Sequence, residues 1–193
     1  MENVLEYNKR VAKLSEFIRY YFSAGYTLRR FTNAKDKYLD AKFMERIMLA
    51  VTEVNGCKVC AQGHAKMALE SGMSELEIQA LLSNNQDVVP KYEGVAILYA
   101  THFADTSGNP DIDANKRLYE SYDKHVADAV IATIHMIMLG NVLGISFGCF
   151  KDRLAGKPNK DSSLVKELLI FILFILLFPI FIVVAIVGAI LNK

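Results

Sequence analysis

The sequence predicts an all-α fold, with one domain of about six to seven helices followed by a single C-terminal transmembrane helix. Apolar residues recur at the three- to four-residue spacing of helices along most of the chain before residue 156, and no alternating strand pattern of useful length is present. The run from Leu168 to Leu191 contains no charged residue. We therefore expect a helical domain over residues 1–156, a basic linker over 157–167 and a membrane helix over 168–191.

The composition fits one domain of ordinary size with an apolar addition. The chain has 193 residues, of which 52% are hydrophobic, and its 22 basic and 21 acidic residues leave a formal net charge of +1. Such a chain lacks the broad positive field that holds nucleic acid, so nucleic-acid binding is disfavoured. The first ten residues are charged and contain no apolar run, which predicts neither a secretory signal nor an N-terminal membrane anchor.

The first two helices are predicted from apolar spacing. The first helix is expected to end near Ala24 and Gly25, and its apolar face consists of Leu14, Phe17, Ile18, Tyr21 and Phe22. A second helix is predicted from about Ala34 to Val54 and leads into a pair of cysteines. The helix that carries these cysteines is expected to run to about Ser71.

The remaining helices are indicated by their caps and loops. Ser74 begins a Ser-x-x-Glu capping box, which predicts a short fourth helix. Pro90 is expected in the first turn of the next helix. The segment Thr106–Pro110 is a loop by composition, and two further helical patterns follow, of which the longer extends from Ala127 to Phe150.

The chemistry is expected at Cys57 and Cys60, which form a C-x-x-C pair with His64 four residues beyond. On a helix that advances about 100° per residue the three side chains fall within roughly 60° of one another, so two sulfurs and one imidazole share a face. Asn55-Gly56 is typical of a helix end, which places Cys57 in the first turn of a new helix. The unpaired N–H groups and the positive dipole end at that position favour a thiolate.

Glu45 on the preceding helix is the candidate carboxylate partner of His64. It flanks an apolar helix face, and a carboxylate close to a core holds a histidine in one tautomer or accepts its proton. Glu53 is the nearer rival in sequence. The alternative interpretation is that Glu45 pairs with a neighbouring base such as Lys42 or Arg46.

These residues together follow a known pattern. Glu45 is followed by eleven residues, the C-x-x-C and a histidine after three more, set in LAVTEVNGCKVCAQGH with GMSELEI beyond it. The pattern resembles the alkylhydroperoxidase (AhpD-like) branch of the carboxymuconolactone decarboxylase family. The resemblance covers roughly residues 15–152, including Val126 to Phe147, which is similar to the family's long closing helix. It implies an AhpD-like helical domain that assembles as a homo-trimer or hexamer.

The resemblance also implies a chemistry. In the redox branch two cysteines cycle between dithiol and disulfide while Glu and His relay protons, and Cys57, Cys60, His64 and Glu45 inherit these roles. The substrate is then a peroxide or a disulfide. No cofactor is expected, since the chain lacks a Gly-rich dinucleotide fingerprint, and a protein or small-thiol donor supplies the electrons. One position departs from the pattern, because Val59 stands where the best-characterised members carry a second histidine, and this weakens the expectation of efficient peroxide turnover.

Two other uses of a C-x-x-C pair are disfavoured. A c-type haem needs histidine directly after the second cysteine, but Ala61 stands there. A zinc site needs a fourth ligand beside Cys57, Cys60 and His64, and no second ligand pair is visible in the sequence. A cytoplasmic location would also disfavour a permanent disulfide, which leaves catalysis, redox sensing or metal binding.

Two isolated residues are predicted to serve packing. Cys149 lies beside Phe147 and Phe150 on an apolar helix, which favours a buried thiol over a third redox centre. His135 is predicted to be a hydrogen-bonded core histidine, although the closing helix also allows it to approach the site.

The expected mechanism is a thiolate attack. His64 accepts the proton of Cys60 directly or through water, Glu45 orients the imidazole, and Cys57 closes the disulfide. Which thiol attacks first stays open, because the helix terminus favours Cys57 and the imidazole favours Cys60. Two other functions also stay open, namely a non-catalytic membrane-tethered module that senses redox state or binds metal, and decarboxylase or lactone chemistry.

The uncharged run from Leu168 to Leu191 is expected to cross a membrane once. Its 24 residues would extend about 36 Å as a helix, which exceeds a hydrocarbon thickness of about 30 Å, and Pro179 is expected to kink it. Only Lys193 follows the run, whereas five basic residues precede it closely, namely Lys151, Arg153, Lys157, Lys160 and Lys166. The positive-inside rule then places the N-terminal domain in the cytoplasm as a tail-anchored protein. Truncation after Asn159 is expected to leave a soluble protein with unchanged thiol chemistry.

Overall fold

A computed structural model describes residues 10–85 and 87–191, and this part of the chain consists of helices and connecting loops without a strand. The all-α prediction is confirmed, and within residues 10–85 and 87–155 there are seven helices, which agrees with the six to seven expected. In chain order the helices are α1 (Leu14–Lys37), α2 (Ala41–Asn55), α3 (Lys58–Glu70), α4 (Glu75–Leu81), α5 (Gly94–Asp105), α6 (Ile112–Ser121), α7 (Lys124–Leu154), α8 (Leu164–Leu176) and α9 (Phe178–Leu191). The prediction for the first ten residues falls, apart from Arg10, outside the described residues.

The domain is built around α1 and α7, which pack against each other more extensively than any other pair of helices. α2 packs on α5 and α7, and α3 packs on α2 and α7. The fully buried side chains include Phe17 and Tyr21 of α1 and Ile134 and Met138 of α7. Burial of these apolar faces is the main stabilising contribution, at about 25 cal/mol per Å² of apolar surface removed from water.

The first helix is longer than predicted, because α1 continues through Gly25 to Lys37 and the end expected at the glycine is wrong. A glycine inside a helix costs only about 1 kcal/mol relative to alanine. Gly25 is buried, and a Cβ atom placed there would lie 3.2 Å from the ring of Phe181. The residue therefore allows another helix to approach rather than ending its own.

Two other helices begin later than predicted. α2 begins at Ala41 rather than near Ala34, because Asp40 provides an N-cap whose carboxylate accepts a backbone hydrogen bond at 2.8 Å. α5 begins at Gly94, and Pro90 lies in the turn before it. The short fourth helix, the loop at residues 106–110 and the long closing helix are confirmed, with Ser74 as the N-cap of α4.

The run over residues 168–191, predicted as one helix kinked at Pro179, forms two helices, α8 and α9, bent by 57° relative to each other. The break lies at Leu177, two residues before Pro179. A proline ring clashes with the carbonyl four residues earlier inside a helix but is tolerated in a first turn. The chain therefore starts a new helix with the proline in its first turn. α8 begins at Leu164, inside the predicted linker of 157–167.

Among the described residues, α7 is the one helix that is by itself long and apolar enough to cross a membrane. It is internal and mostly buried, and its position at the centre of the domain accounts for its apolar composition. α8 and α9 meet the same length and composition criteria when taken together as a broken pair. Membrane attachment through the C-terminal run stays a prediction.

Candidate functional site

The cysteines lie at the junction of α2 and α3, as the sequence predicts. α2 ends at Gly56, whose φ of 68° lies in the left-handed region that favours glycine, and the Gly56 N–H donates to the Thr52 carbonyl at 2.8 Å. Cys57 is the N-cap of α3, and its sulfur accepts a hydrogen bond from the Cys60 N–H at 3.3 Å. The first cysteine thus occupies a helix terminus, where backbone N–H groups stabilise a thiolate.

Cys57 and Cys60 are joined by a disulfide, and their Cα atoms are 5.3 Å apart, within the usual range for such a bond. The two residues differ in exposure, because Cys57 is completely buried whereas Cys60 is partly exposed. Val59, which lies between them in sequence, is exposed. Of the two residues, only Cys60 is therefore in contact with solvent.

His64 and Glu45 are hydrogen-bonded, with 2.8 Å between Nδ1 of the imidazole and Oε2 of the carboxylate. Their side chains are only 18% and 8% exposed, so the bond is largely shielded from water. Glu45 belongs to α2 and His64 to α3, and the packing of these helices brings the two groups together. When Nδ1 carries a proton and donates it to the carboxylate, Nε2 is the nitrogen with the free lone pair that accepts a proton.

The neighbouring base does not compete for Glu45. Arg46 is buried and donates to both carboxylate oxygens of Glu93, at 2.7 and 3.0 Å, and to Glu77 at 2.8 Å. Burial raises the pKa of the Glu93 carboxyl. The interpretation that Glu45 pairs with Arg46 is therefore wrong, and His64 bonds Glu45 rather than Glu53.

The long helix α7 closes one side of the cysteine pair through two glycines. The carbonyl oxygen of Gly140 lies 3.5 Å from the Cys60 sulfur. A Cβ atom on Gly144 would stand 2.5 Å from the Cys57 sulfur and 2.6 Å from that of Cys60. Sequence reasoning missed both residues, although two glycines four apart in an apolar helix indicate that another group approaches that face of the helix.

A cavity of about 460 Å³ lies beside Glu45, between α1, α2 and α3. The cysteines are not part of its wall. The remaining lining is mostly apolar and consists of Phe31, Lys35, Ala41, Met44, Met48, Met67, Glu70 and Ser71. Glu45, the carboxylate of the His64–Glu45 pair, is therefore next to a space that neither cysteine lines.

The two isolated residues serve packing, as predicted. The Nδ1 atom of His135 lies 3.2 Å from the Thr27 hydroxyl, and its ring packs on Phe103. Burial, together with the positive charge of Arg30, lowers the pKa of His135 to about 4, so the ring is neutral at pH 7. Cys149 is buried, which raises the pKa of its thiol. Within the described part of the chain, no group of three or more His, Cys, Asp or Glu residues has the arrangement of a metal site.

Comparison with known families finds a match for the segment that carries this site. Residues 21–91 match the model of the carboxymuconolactone decarboxylase family, and the matched segment includes Glu45, Cys57, Cys60 and His64. The helical fold agrees with that family. No curated protein matches the chain, and no solved structure matches it. The match supports membership of the carboxymuconolactone decarboxylase family and does not distinguish between its branches.

Proposed function

We propose that the protein is a dithiol oxidoreductase of the alkylhydroperoxidase branch, which reduces a peroxide or a disulfide. The observation that carries the proposal is the 2.8 Å hydrogen bond between His64 and Glu45, one helical turn beyond a C-x-x-C pair at a helix N-terminus. A histidine held by a carboxylate is a general base. A thiol needs such a base, because the thiolate is the nucleophile.

Cys60 is the attacking thiol in this proposal. It is the partly exposed member of the pair, and it is the closer of the two in sequence to His64. Cys57 is completely buried, which suits a thiol whose only reaction partner is the neighbouring sulfur. Its position at the N-terminus of α3 favours the thiolate form when that step occurs.

With a hydroperoxide substrate, the cysteine pair is oxidised and the peroxide is reduced. The Cys60 thiolate attacks one oxygen, the O–O bond breaks, and the leaving alkoxide takes up the proton that His64 accepted from the thiol, which leaves a sulfenic acid on Cys60. Cys57 then attacks that sulfur, and the new S–S bond displaces water. With a disulfide substrate, the Cys60 thiolate attacks one sulfur and releases one thiol, which takes up the proton held by His64. Cys57 then attacks the Cys60 sulfur of the mixed disulfide and releases the second thiol. An external dithiol returns two electrons and two protons.

Glu45 acts on this sequence through His64. Its carboxylate accepts the Nδ1 hydrogen bond, which fixes the tautomer in which Nε2 is the base. The same carboxylate stabilises the imidazolium that exists between the two proton transfers. Because Val59 replaces the second histidine of the best-characterised members, this pair is the only relay that the resemblance assigns.

The test is an assay of the purified full chain in mild detergent. The reduced protein is mixed with cumene hydroperoxide or oxidised glutathione, with dithiothreitol as the donor, while thiols, disulfides and bound zinc are quantified by mass spectrometry. We expect one Cys57–Cys60 disulfide per chain and sustained consumption of one of the two oxidants, at a rate above the direct reaction with dithiothreitol that is measured with the Cys57→Ser/Cys60→Ser variant.

Three other results would contradict the proposal. Thiols that remain reduced in the presence of both oxidants argue against redox chemistry. One bound zinc per chain with both thiols protected favours a metal-binding module. A single oxidation without turnover favours a redox sensor.

We also propose that the protein is a homo-trimer or hexamer attached to a membrane by its C-terminal run, with the domain in the cytoplasm. The family resemblance supports the assembly. The uncharged segment 168–191 and the basic residues before it support the attachment. Flotation of cell membranes in a sucrose gradient and light scattering of the detergent-solubilised protein test these two points separately.

A further inference from the structure

The C-terminal helix α9 is docked on α1 through close and specific contacts. The two helices run parallel, and a Cβ atom on Gly188 would overlap the backbone carbonyl of Tyr26. The guanidinium of Arg29 donates to the carbonyl of Ala189 at 2.7 Å, next to the negative end of the α9 dipole. Helices approach this closely only where a small residue allows it, so the absence of a side chain at Gly188 makes the docking possible.

α8 is held to the same part of the domain by polar contacts. The Tyr21 hydroxyl donates to the carbonyl of Phe174 at 3.0 Å. At the start of α8, the buried carboxylate of Glu167 accepts two hydrogen bonds from Arg153, at 2.8 and 2.9 Å. The bent pair is therefore fixed to the domain along α1 and at the end of α7.

The opposite side of the bent pair is an exposed and purely apolar surface, which we call the outer face. No residue from 168 to 191 has a charged, hydroxyl or amide side chain. The large side chains exposed on the outer face are Leu168, Ile172, Ile175, Leu176, Phe178, Ile180, Ile182, Val183, Ile186, Val187, Ile190 and Leu191. An apolar surface of this extent marks a site that contacts a membrane or another protein.

The docking of α9 on α1, rather than its length, conflicts with a simple crossing of the bilayer. Helices of 13 and 14 residues are each about 20 Å long, and at a bend of 57° the two together reach about 35 Å, enough for a hydrocarbon thickness of about 30 Å. α1 lies along α9 and is packed on its other side against α7. An upright α9 would therefore draw α1, with Arg29 and the adjoining domain, into the hydrocarbon, where a charged side chain costs several kcal/mol.

We propose that the outer face of α8 and α9 is embedded in one leaflet of the membrane, so that the domain and the C-terminus lie on the same side. The proposal rests on the proposed membrane attachment and specifies its geometry. The occupant is lipid rather than a second copy of the chain, because protein interfaces carry about one hydrogen bond per 100–200 Å² and this face has no side chain that forms one. Lys157, Lys160 and Lys166 are exposed near the start of α8, where they face anionic headgroups.

The experiment uses the full chain with an epitope tag after Lys193, in sealed membrane vesicles whose cytoplasmic face is outward. Protease is added outside, and loss of the tag is compared with cleavage of the domain. We expect the protein to float with the vesicles. We also expect the protease to remove the tag as readily without detergent as with it. A tag that is protected until detergent is added would overturn the one-leaflet geometry and restore the crossing.

A protein that does not float would instead overturn the attachment itself, whether or not the outer face is then covered by a second copy. Gly188→Leu supplies a second test, because its side chain cannot fit against Tyr26 and should separate α9 from α1. We expect this change to protect at least half of the tag while the protein still floats. Val187→Leu, on the outer face, is the matched control and should leave the tag accessible. Equal accessibility in both variants would contradict the role of the docked helix.

Discussion

Gly144 lies directly against Cys57, because a Cβ atom at position 144 would stand 2.5 Å from the Cys57 sulfur. The same atom would be 2.6 Å from the sulfur of Cys60. Carbon and sulfur atoms that are not bonded do not approach this closely in a packed core. Helix α7 can therefore lie over the cysteine pair in its present position only if residue 144 is glycine.

Gly144→Ala is expected to destabilise the protein by about 1–3 kcal/mol, the usual cost of overpacking a core. The cost should disappear when Cys57 and Cys60 are both replaced by alanine, because removal of the sulfurs frees the space. Urea unfolding of the four variants in one detergent measures this coupling. Gly140→Ala is the matched control, since a Cβ atom there meets only Ile137, at 3.9 Å. An equal cost with and without the sulfurs would show that another contact is responsible.

His64→Ala and Glu45→Gln are each expected to slow the alkylation of the reduced cysteine pair by up to about 30-fold at pH 7, because a thiol with the ordinary pKa of about 8.5 is only about 3% ionised at that pH. The rate of alkylation by iodoacetamide between pH 6 and 10 measures this. Above the ordinary thiol pKa of about 8.5, solvent supplies the thiolate and the variants should approach the wild-type rate.

If the alkylation rates of the variants rise to the wild-type rate at high pH, the variants have lost a base. Structural damage would instead slow the reaction at every pH. Glu53→Gln is the control for Glu45→Gln and should react like the wild type. If the effects of these two substitutions were exchanged, the carboxylate that supports His64 would be Glu53.

The low pKa of His135 predicts a pH dependence of stability. The folded protein holds this histidine neutral down to about pH 4, whereas the unfolded chain binds a proton near pH 6.5. The unfolded state therefore binds more protons between these values, and the free energy of unfolding falls as the pH is lowered from 6.5 to 4. The contribution of His135 is fully present above pH 6.5 and amounts to about 1–3 kcal/mol.

His135→Asn should remove this part of the pH dependence, because an amide does not titrate and can still bond Thr27. Denaturant unfolding at pH 4.5, 5.5 and 7 compares the two proteins. The wild type should lose more stability than the variant on acidification. Parallel curves would mean that His135 is not protonated on unfolding in this range.

Truncation after Asn159 is expected to expose the face of α1 that α9 covers and to leave Arg153 without Glu167. The shortened domain should therefore aggregate in detergent-free buffer, which replaces the soluble protein expected from the sequence. Its cysteines should keep their reactivity, because α3 packs on α2, α4 and α7. Light scattering and alkylation rates check the two parts of this prediction.

The matched control for the truncation is a full chain with a protease site in the loop at residues 157–160. After cleavage in detergent, the tail fragment should remain bound, because the contacts that dock α8 and α9 are intact. A fragment that separates at once would indicate that these contacts contribute little to stability.

The features that could be predicted from the sequence are those set by neighbours along the chain. Gly56 ends α2 because only glycine adopts its backbone conformation without strain, and Cys57 consequently begins the next helix. Ser74 caps α4 through its own hydroxyl. Glu45 and His64 were found through a family pattern in which the spacing of the carboxylate is fixed, and the structure places them in contact.

The features that could not be predicted depend on residues distant in sequence. Gly144 meets Cys57 only because α7 packs over α3, and no local pattern indicates which helix closes the site. Gly25 is typical of a helix end in the sequence, and only its contact with Phe181 shows that it allows another helix to pack there. The uncharged tail is apolar enough for lipid, and its composition gives no sign that one side is docked on α1.

The pairing of α1 with α9 also determines when the protein can finish folding. Arg29 and Ala189 are joined by a hydrogen bond across 160 residues. The packing of α1 is therefore incomplete until α9 has been synthesised. Domains fold as they emerge during synthesis, and apolar surface that remains uncovered is prone to aggregate. The side of α1 that α9 covers therefore stays uncovered on the nascent chain until α9 has emerged from the ribosome.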